Sequence, residues 1–405
     1  MSGYTAEEAA ARSGVTEEFA AHTASLGLVG AGEGGRFSDE DVRRLQVLQS
    51  MERAGLPIRG IAELVSRGSL SLDFIEAAGQ YVFTPLEDET FTQVSSSTGI
   101  PVAVVATIRE ALGGSAAGRD DRVSGAEMAV VPLVQFQLEL GFRERAIEQA
   151  LRVYGESMRR IAETEAEWFR SEIRQPMLER GMSEDDIGRF AAEMSPRLSE
   201  LSDQAVMAIF HGQQGHAWLT NIIRGIGAAL ERAGLHTLEP RVPAMCFLDI
   251  TGYTNLTSER GDQAAANVAE RLRRVVQQPA MAHGGRAVKW LGDGVMFYFP
   301  DPGAGVSAAV EMVSGVESAG LPQAHVGLHA GPVVFQEGDY YGNTVNIAAR
   351  IGEYARPGEV LVSQEVVDQA GERSAAGFTE IGDVRLKGVT DPVFLYAASA
   401  AAPGG

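Results

Sequence analysis

From residue 241 onward, short apolar runs alternate with amphipathic ones. Ala244 to Leu248, Ala287 to Leu291, Val295 to Tyr298, His325 to Leu328, Val333 to Phe335 and Val360 to Val362 have strand length. Ala264 to Gln277, Gly305 to Val316, Val345 to Tyr354 and Gln364 to Ala370 repeat at helical spacing. The alternation predicts an α/β domain over 244–397, with 398–405 as a disordered tail of small residues. Upstream the pattern is helical. Over 1–70, Thr5 to Ser13 and Glu17 to Leu26 read as short helices closed by Gly14 and Gly27, with Thr16 as a cap. Gly30 to Phe37 suits a small wing, Ser38 caps a helix with Val42, Leu45, Leu48 and Met51 on one face, and Leu56 to Val65 packs behind it.

Residues 71–235 read as almost wholly helical, punctuated at Ser96 to Gly99, Pro101, Gly113 to Gly118, Gly181 and Gly212 to Gly215. Ile147, Leu151, Tyr154, Met158, Ile161 and Trp168 recur along one long amphipathic helix, a stripe that predicts core; the alternative is a dimer seam or a lipid pocket. Residues 236–243, with two prolines, read as a linker.

At 405 residues, 45% apolar and 22% charged, the chain is a multidomain globular protein. Its net charge of −20 repels polyanions, and no basic patch offsets it, so nucleic acid is not an expected partner. The single cysteine, Cys246, lies in an apolar run and reads as a packed thiol in a reducing compartment. With no membrane-length apolar stretch and no signal peptide, the expectation is a cytoplasmic protein, with peripheral membrane association left open.

Three stretches carry candidate chemistry. Phe247 to Thr254 delivers Asp249 to a strand tip and turns through Thr251 and Gly252 into a helix, which suits a cation held by oxygen and a phosphate held by main-chain N–H groups. Gly292-Asp293-Gly294 reads as a hairpin tip that presents a second carboxylate. Asp339 to Arg350 enters a helix after a Gly-Asn turn and sets Asn346 and Arg350 four residues apart on one face.

These stretches, with Lys-Trp-Leu-Gly-Asp-Gly and Leu-Lys-Gly-Val in the same order, make residues 241–397 resemble the catalytic domain of a class III nucleotidyl cyclase. The resemblance implies a ferredoxin-like βαββαβ core and conversion of ATP to 3′,5′-cyclic AMP and pyrophosphate. It implies that Asp249, Asp293 and the carbonyl of Ile250 ligate two Mg²⁺ or Mn²⁺ ions, and that Gly252, Tyr253 and Thr254 cradle the triphosphate. Lys289 and Asp339 stand at the base-reading positions and select adenine; a guanine-selective member carries Glu and Cys there. Asn346 orients the ribose, Arg350 stabilises the α-phosphate and Lys387 holds the terminal phosphates. The family site spans two chains, so a homodimer would hold two shared sites.

The first 70 residues resemble a MerR-type winged helix through Tyr4-Thr5, Ser13-Gly14-Val15, Leu26-Gly27-Leu28, Phe37 to Asp41 and Ala54-Gly55-Leu56. The second helix carries Glu17 and Glu18 where a DNA reader would carry basic residues, so DNA binding is not expected. Residues 71–235 resemble the regulatory domain of some actinobacterial soluble cyclases, which leaves regulation by pH or a fatty-acid-like ligand as alternatives. His211, His216 and His236 are the candidate pH-sensing groups. Guanylate cyclase activity, or a nucleotide-sensing transcription regulator on a retained cyclase fold, are the competing functions.

Overall fold

The computed structural model describes residues 3–30, 35–70, 72, 85–115, 118–235, 242–253, 258–259, 261–370 and 376–400. It divides into two units, Met1–Arg224 and Gly225–Gly405.

The first unit opens with helices α1 (Ala6–Ser13), α2 (Glu17–Ser25), α3 (Asp39–Arg53) and α4 (Ile58–Ser66). Their boundaries follow from capping. Thr5 and Ser38 form reciprocal capping boxes with Glu8 and Asp41, Thr16 accepts from the Phe19 N–H, and Gly14 ends α1 in a left-handed conformation. Phe19, Leu45, Leu48 and Ile61 fill the core between them. Tyr4 and Phe37 exchange main-chain hydrogen bonds at the base of the expected wing, whose residues 31–34 lie outside the described set.

Next come β1 (Leu86–Thr90), α5 (Phe91–Thr98), α6 (Val102–Ala111), β2 (Arg122–Ser124), α7 (Gly125–Glu139), α8 (Glu144–Trp168), a π-helical segment Phe169–Arg174, α9 (Gln175–Glu179) and α10 (Glu184–Arg232). β1 and β2 pair antiparallel, a ribbon that the sequence Leu-Glu-Asp-Glu-Thr does not betray because it has no apolar alternation. Buried Glu127 is matched by Arg109, which bonds its carboxylate, donates to the Arg122 carbonyl at 2.6 Å and lies over the Phe91 ring.

Three expectations for this region change. The stripe along α8 is core only at Ile147 and Leu151; Tyr154, Met158, Ile161 and Trp168 are exposed. The helix does not run on uniformly either, since the π-helical segment shifts the register after Trp168. Gly212 to Gly215 does not interrupt the chain, because α10 continues through it for 49 residues, about 74 Å at the helical rise.

The second unit is built on a seven-stranded sheet of order β10-β11-β9-β6-β3-β5-β4. Its elements are β3 (Ala244–Ile250), α11 (Asp262–Ala282), β4 (Arg286–Trp290), β5 (Gly294–Phe299), α12 (Pro302–Ser318), β6 (Ala324–Ala330), β7 (Val334–Gln336), β8 (Asp339–Tyr341), α13 (Asn343–Tyr354), β9 (Val360–Ser363), α14 (Gln364–Ala370), β10 (Ala376–Val384) and β11 (Val393–Ala400). The segment β3-α11-β4-β5-α12-β6 with spatial order β6-β3-β5-β4 is the ferredoxin-like core, which β9, β11 and β10 extend. Alternation along central β3 divides the layers. Ala244, Cys246, Leu248 and Ile250 belong to the main core with residues of α11 and α12, while Met245 and Phe247 belong to a second cluster with Ala348 of α13. Burial pushes the Cys246 thiol well above its ordinary range, consistent with a packed, unreactive group.

β8, β10 and β11 were not expected as strands. β11 runs to Ala400, three residues into the segment read as a disordered tail, because Ala398 to Ala400 pair with β10; residues 401–405 lie outside the described set. Of the expected linker, 236–241 also lie outside it. Among the described residues no single helix is long and apolar enough to cross a membrane.

Candidate active site

Asp249 sits at the end of β3, paired in register with Gly294 of β5 and His325 of β6. Glycine at 294 leaves the carboxylate room, since a Cβ there would stand 3.1 Å from the Leu248 carbonyl and 3.2 Å from Asp249 Oδ1 and would press on both. Asp293 occupies the hairpin tip just before it, where Gly292 takes a left-handed φ of 77° and the Leu291 N–H closes the turn on the Gly294 carbonyl. Burial and then the charge of Asp293 raise the pKa of Asp249, while the Ile250 N–H, donating at 3.0 Å, and His325 oppose them. Asp249, whose ionisation the neighbouring Asp293 charge disfavours at a half-buried strand tip, fits a divalent cation, which needs hard oxygen donors and cancels that repulsion. Among the described residues no group of three or more His, Cys, Asp and Glu side chains could hold a metal, so the two carboxylates would need main-chain or substrate oxygens as well.

Gly252 turns the chain with a φ of 78°, and Tyr253 packs against the main core. Thr254, the third expected phosphate contact, lies outside the described residues.

Lys289 owes its direction to a β-bulge. Arg286 and Ala287 pair with Tyr298 and Phe297, but Lys289 rather than Val288 pairs with Met296. Without the extra residue Lys289 would turn toward the face of α11 and α12; with it, Lys289 joins the face of Met296. There its Nζ meets Asp339 Oδ2 at 3.0 Å, while Asp339 Oδ1 accepts from the Tyr340 N–H at 2.8 Å. Arg286 donates to the Tyr340 hydroxyl at 2.5 Å and the Tyr340 ring stacks on Tyr298 at 4.7 Å, so β8 is fixed to the β4–β5 hairpin beside the pair.

α13 buries Ile347, Ala348 and Ile351 and lies so close to β6 that a Cβ on Gly327 would fall 2.0 Å from Gly352 N. Thr344 anchors its first turn by donating to the Pro332 carbonyl at 2.7 Å. Asn346 is exposed and Arg350 partly so, four residues on along the same face. Lys387 is exposed in the turn between β10 and β11. Among the described residues no hydrogen bond or ion pair joins Asp249 or Asp293 to Lys289, Asp339, Asn346, Arg350 or Lys387.

Sequence reasoning missed two neighbours of these groups. Glu353 chelates the Arg350 guanidinium at 2.6 and 2.7 Å, a pairing visible in retrospect as Arg and Glu three apart on a helix. His325, beside Asp249, donates from Nδ1 to the Gly352 carbonyl at 2.9 Å and had no local signal. The candidate pH-sensing histidines do not form a cluster: His211 and His216 are exposed on α10, about 140° apart around its axis, and His236 lies outside the described residues.

Residues 241–398 match the model of the adenylate and guanylate cyclase catalytic domain, and residues 59–213 that of the adenylate cyclase regulatory domain. The chain is 27% identical over 365 residues to an uncharacterized protein of Mycobacterium tuberculosis, covering 87% of this chain and 89% of that one. It is 24% identical to an adenylate cyclase of Streptomyces coelicolor, with 75% and 79% covered. A pH-sensitive adenylate cyclase of Mycobacterium tuberculosis is 25% identical, with 75% and 76% covered.

Proposed function

Since the chain belongs to the class III adenylate and guanylate cyclase family, with a regulatory domain ahead of the catalytic one, we propose that it converts ATP to 3′,5′-cyclic AMP and pyrophosphate at sites shared by two copies. The observation that carries the ATP reading is the Lys289–Asp339 pair at 3.0 Å. Lys289 offers a donor to a ring nitrogen of adenine and Asp339 an acceptor to its exocyclic amine; guanine, with a protonated ring nitrogen and a carbonyl, inverts that order.

In this scheme Asn346 orients the ribose and Arg350 places its guanidinium where negative charge grows on the α-phosphoryl oxygens. Lys387 and the Gly252–Thr254 turn hold the terminal phosphates. Asp249, Asp293 and the Ile250 carbonyl would hold two Mg²⁺ or Mn²⁺ ions, which acidify the ribose 3′-hydroxyl and neutralise phosphate charge when bound. No nucleophilic side chain is required.

Two observations support a homodimer. Among the described residues of one chain, no hydrogen bond or ion pair joins Asp249 or Asp293 to Lys289, Asp339, Asn346, Arg350 or Lys387. The first unit also carries large apolar side chains on exposed helix surface, among them Trp168 of α8 and Ile209, Trp218, Ile222 and Ile223 of α10, which water disfavours and a second copy would cover. The N-terminal half is then the element through which regulation reaches the pairing of catalytic domains. Glu17 and Glu18 on α2 oppose the transcription-regulator alternative. The test is cyclic-nucleotide formation by the full chain from ATP and from GTP with Mn²⁺ or Mg²⁺. Cyclic AMP should dominate; absence of product, or a preference for GTP, contradicts the proposal.

A further inference from the structure

Arg350 is not free to meet a phosphate. Its Nη1 donates to both oxygens of Glu353, at 2.7 and 2.6 Å, one turn further along α13. Among the described residues Glu353 is the only acidic side chain that bonds it. Both groups face water, Arg350 38% and Glu353 59% exposed, so the pair is held by its own geometry and not by enclosure. Among the described residues Glu353 caps no helix and bonds no other side chain.

We propose that Glu353 is a positioning residue that holds and neutralises Arg350 in the resting chain, and that a phosphoryl group must displace it before Arg350 can act. The proposal rests on the reading of Arg350 as the α-phosphate contact. The nitrogen engaged by Glu353 cannot at the same time be fully committed to a phosphoryl oxygen. The charge that Arg350 offers the transition state is therefore reduced by the part Glu353 retains, and the enzyme works below the rate its guanidinium would support alone. Exposed Arg–carboxylate pairs are weak, so the brake is small: removing it should raise kcat/KM about two- to fivefold. The effect should be screened by salt, because the pair is a surface ion pair.

The test is a four-member cycle in the full chain: wild type, Glu353→Gln, Arg350→Ala and the double variant, each assayed with ATP and Mn²⁺ at low and high salt. Glu353→Gln keeps the size of an exposed side chain, so its melting curve should match the wild type. Its kcat/KM should rise about two- to fivefold at low salt and converge on the wild type at high salt. Glu353→Asp, which restores the charge, should reverse most of the gain. In the Arg350→Ala background, itself down about 10²- to 10³-fold, the same substitution should change nothing. A gain that persists without Arg350, or a Glu353→Gln variant with unchanged or lower kcat/KM beside a crippled Arg350→Ala, overturns the proposal alone. Near-normal turnover in Arg350→Ala overturns the role of Arg350 and the proposal with it.

Discussion

The position of α13 is set by glycine, and Gly327→Ala tests how much catalysis depends on it. A Cβ at residue 327 would lie 2.0 Å from Gly352 N and 2.6 Å from its Cα, both main-chain atoms that no rotamer change can move aside. Relaxed contact needs about 3.5 Å, so α13 must lift from β6 by roughly 1.5 Å at that point. Overpacking of this kind costs about 1–3 kcal/mol in stability. The same lift displaces Asn346 and Arg350, and misplacing a reacting contact by about 1 Å costs on the order of 10²-fold in rate. The expected variant is folded, melts several degrees lower, and turns ATP over about 10²-fold more slowly. Circular dichroism melting with initial-rate measurements reads both. A variant with normal kcat would show that the seating of α13 on β6 does not position the catalytic groups.

Base selection should follow the Lys289–Asp339 pair: the double change Lys289→Glu with Asp339→Cys is expected to lower kcat/KM for ATP and raise it for GTP, and an unchanged ATP/GTP ratio would remove the pair from specificity. Asp249 gives a pH prediction. Its folded pKa is raised, so its contribution to stability is complete below the ordinary carboxylate range and is lost as pH rises through the raised value. Asp249→Asn should therefore melt above the metal-free wild type at neutral pH, the difference closing toward about pH 3. Mn²⁺ should stabilise the wild type and not the variant; equal stabilisation of both would place the ion elsewhere.

Much of this was legible in the chain because the signals are local. Thr5, Thr16 and Ser38 cap the helices they precede, and the Asp-Gly turn after Gly292 makes the hairpin that carries Asp293. The apolar run to Leu248 is the central strand. What stayed hidden depends on partners far along the chain. β1 and β2 are polar and exist by pairing with each other; β10, with Gly377 and Gly382, is a strand because β11 binds it. The bulge before Lys289 cannot be read from Val288 and Lys289 themselves, since the register is decided by where Met296 and Phe297 face. The stripe from Ile147 to Trp168 was read as core, but only its first turns meet the rest of the unit. Its remainder is apolar surface that no other part of the described chain covers. The site was legible as residues and illegible as an arrangement. Asp249 and Asp293 meet through adjacent strands, while Arg350 is bonded to Glu353 on its own helix.

Complementation measures most directly whether the site is shared between two chains. Asp249→Ala and Asn346→Ala should each be nearly inactive, each lacking one half-set at both sites of a homodimer. When the two are mixed and exchange subunits at equal amounts, half of the dimers are mixed and each has one intact site of two, so about a quarter of wild-type activity should return. Recovery near that level is the result predicted for a site shared between two chains. Subunit exchange without recovery would contradict it.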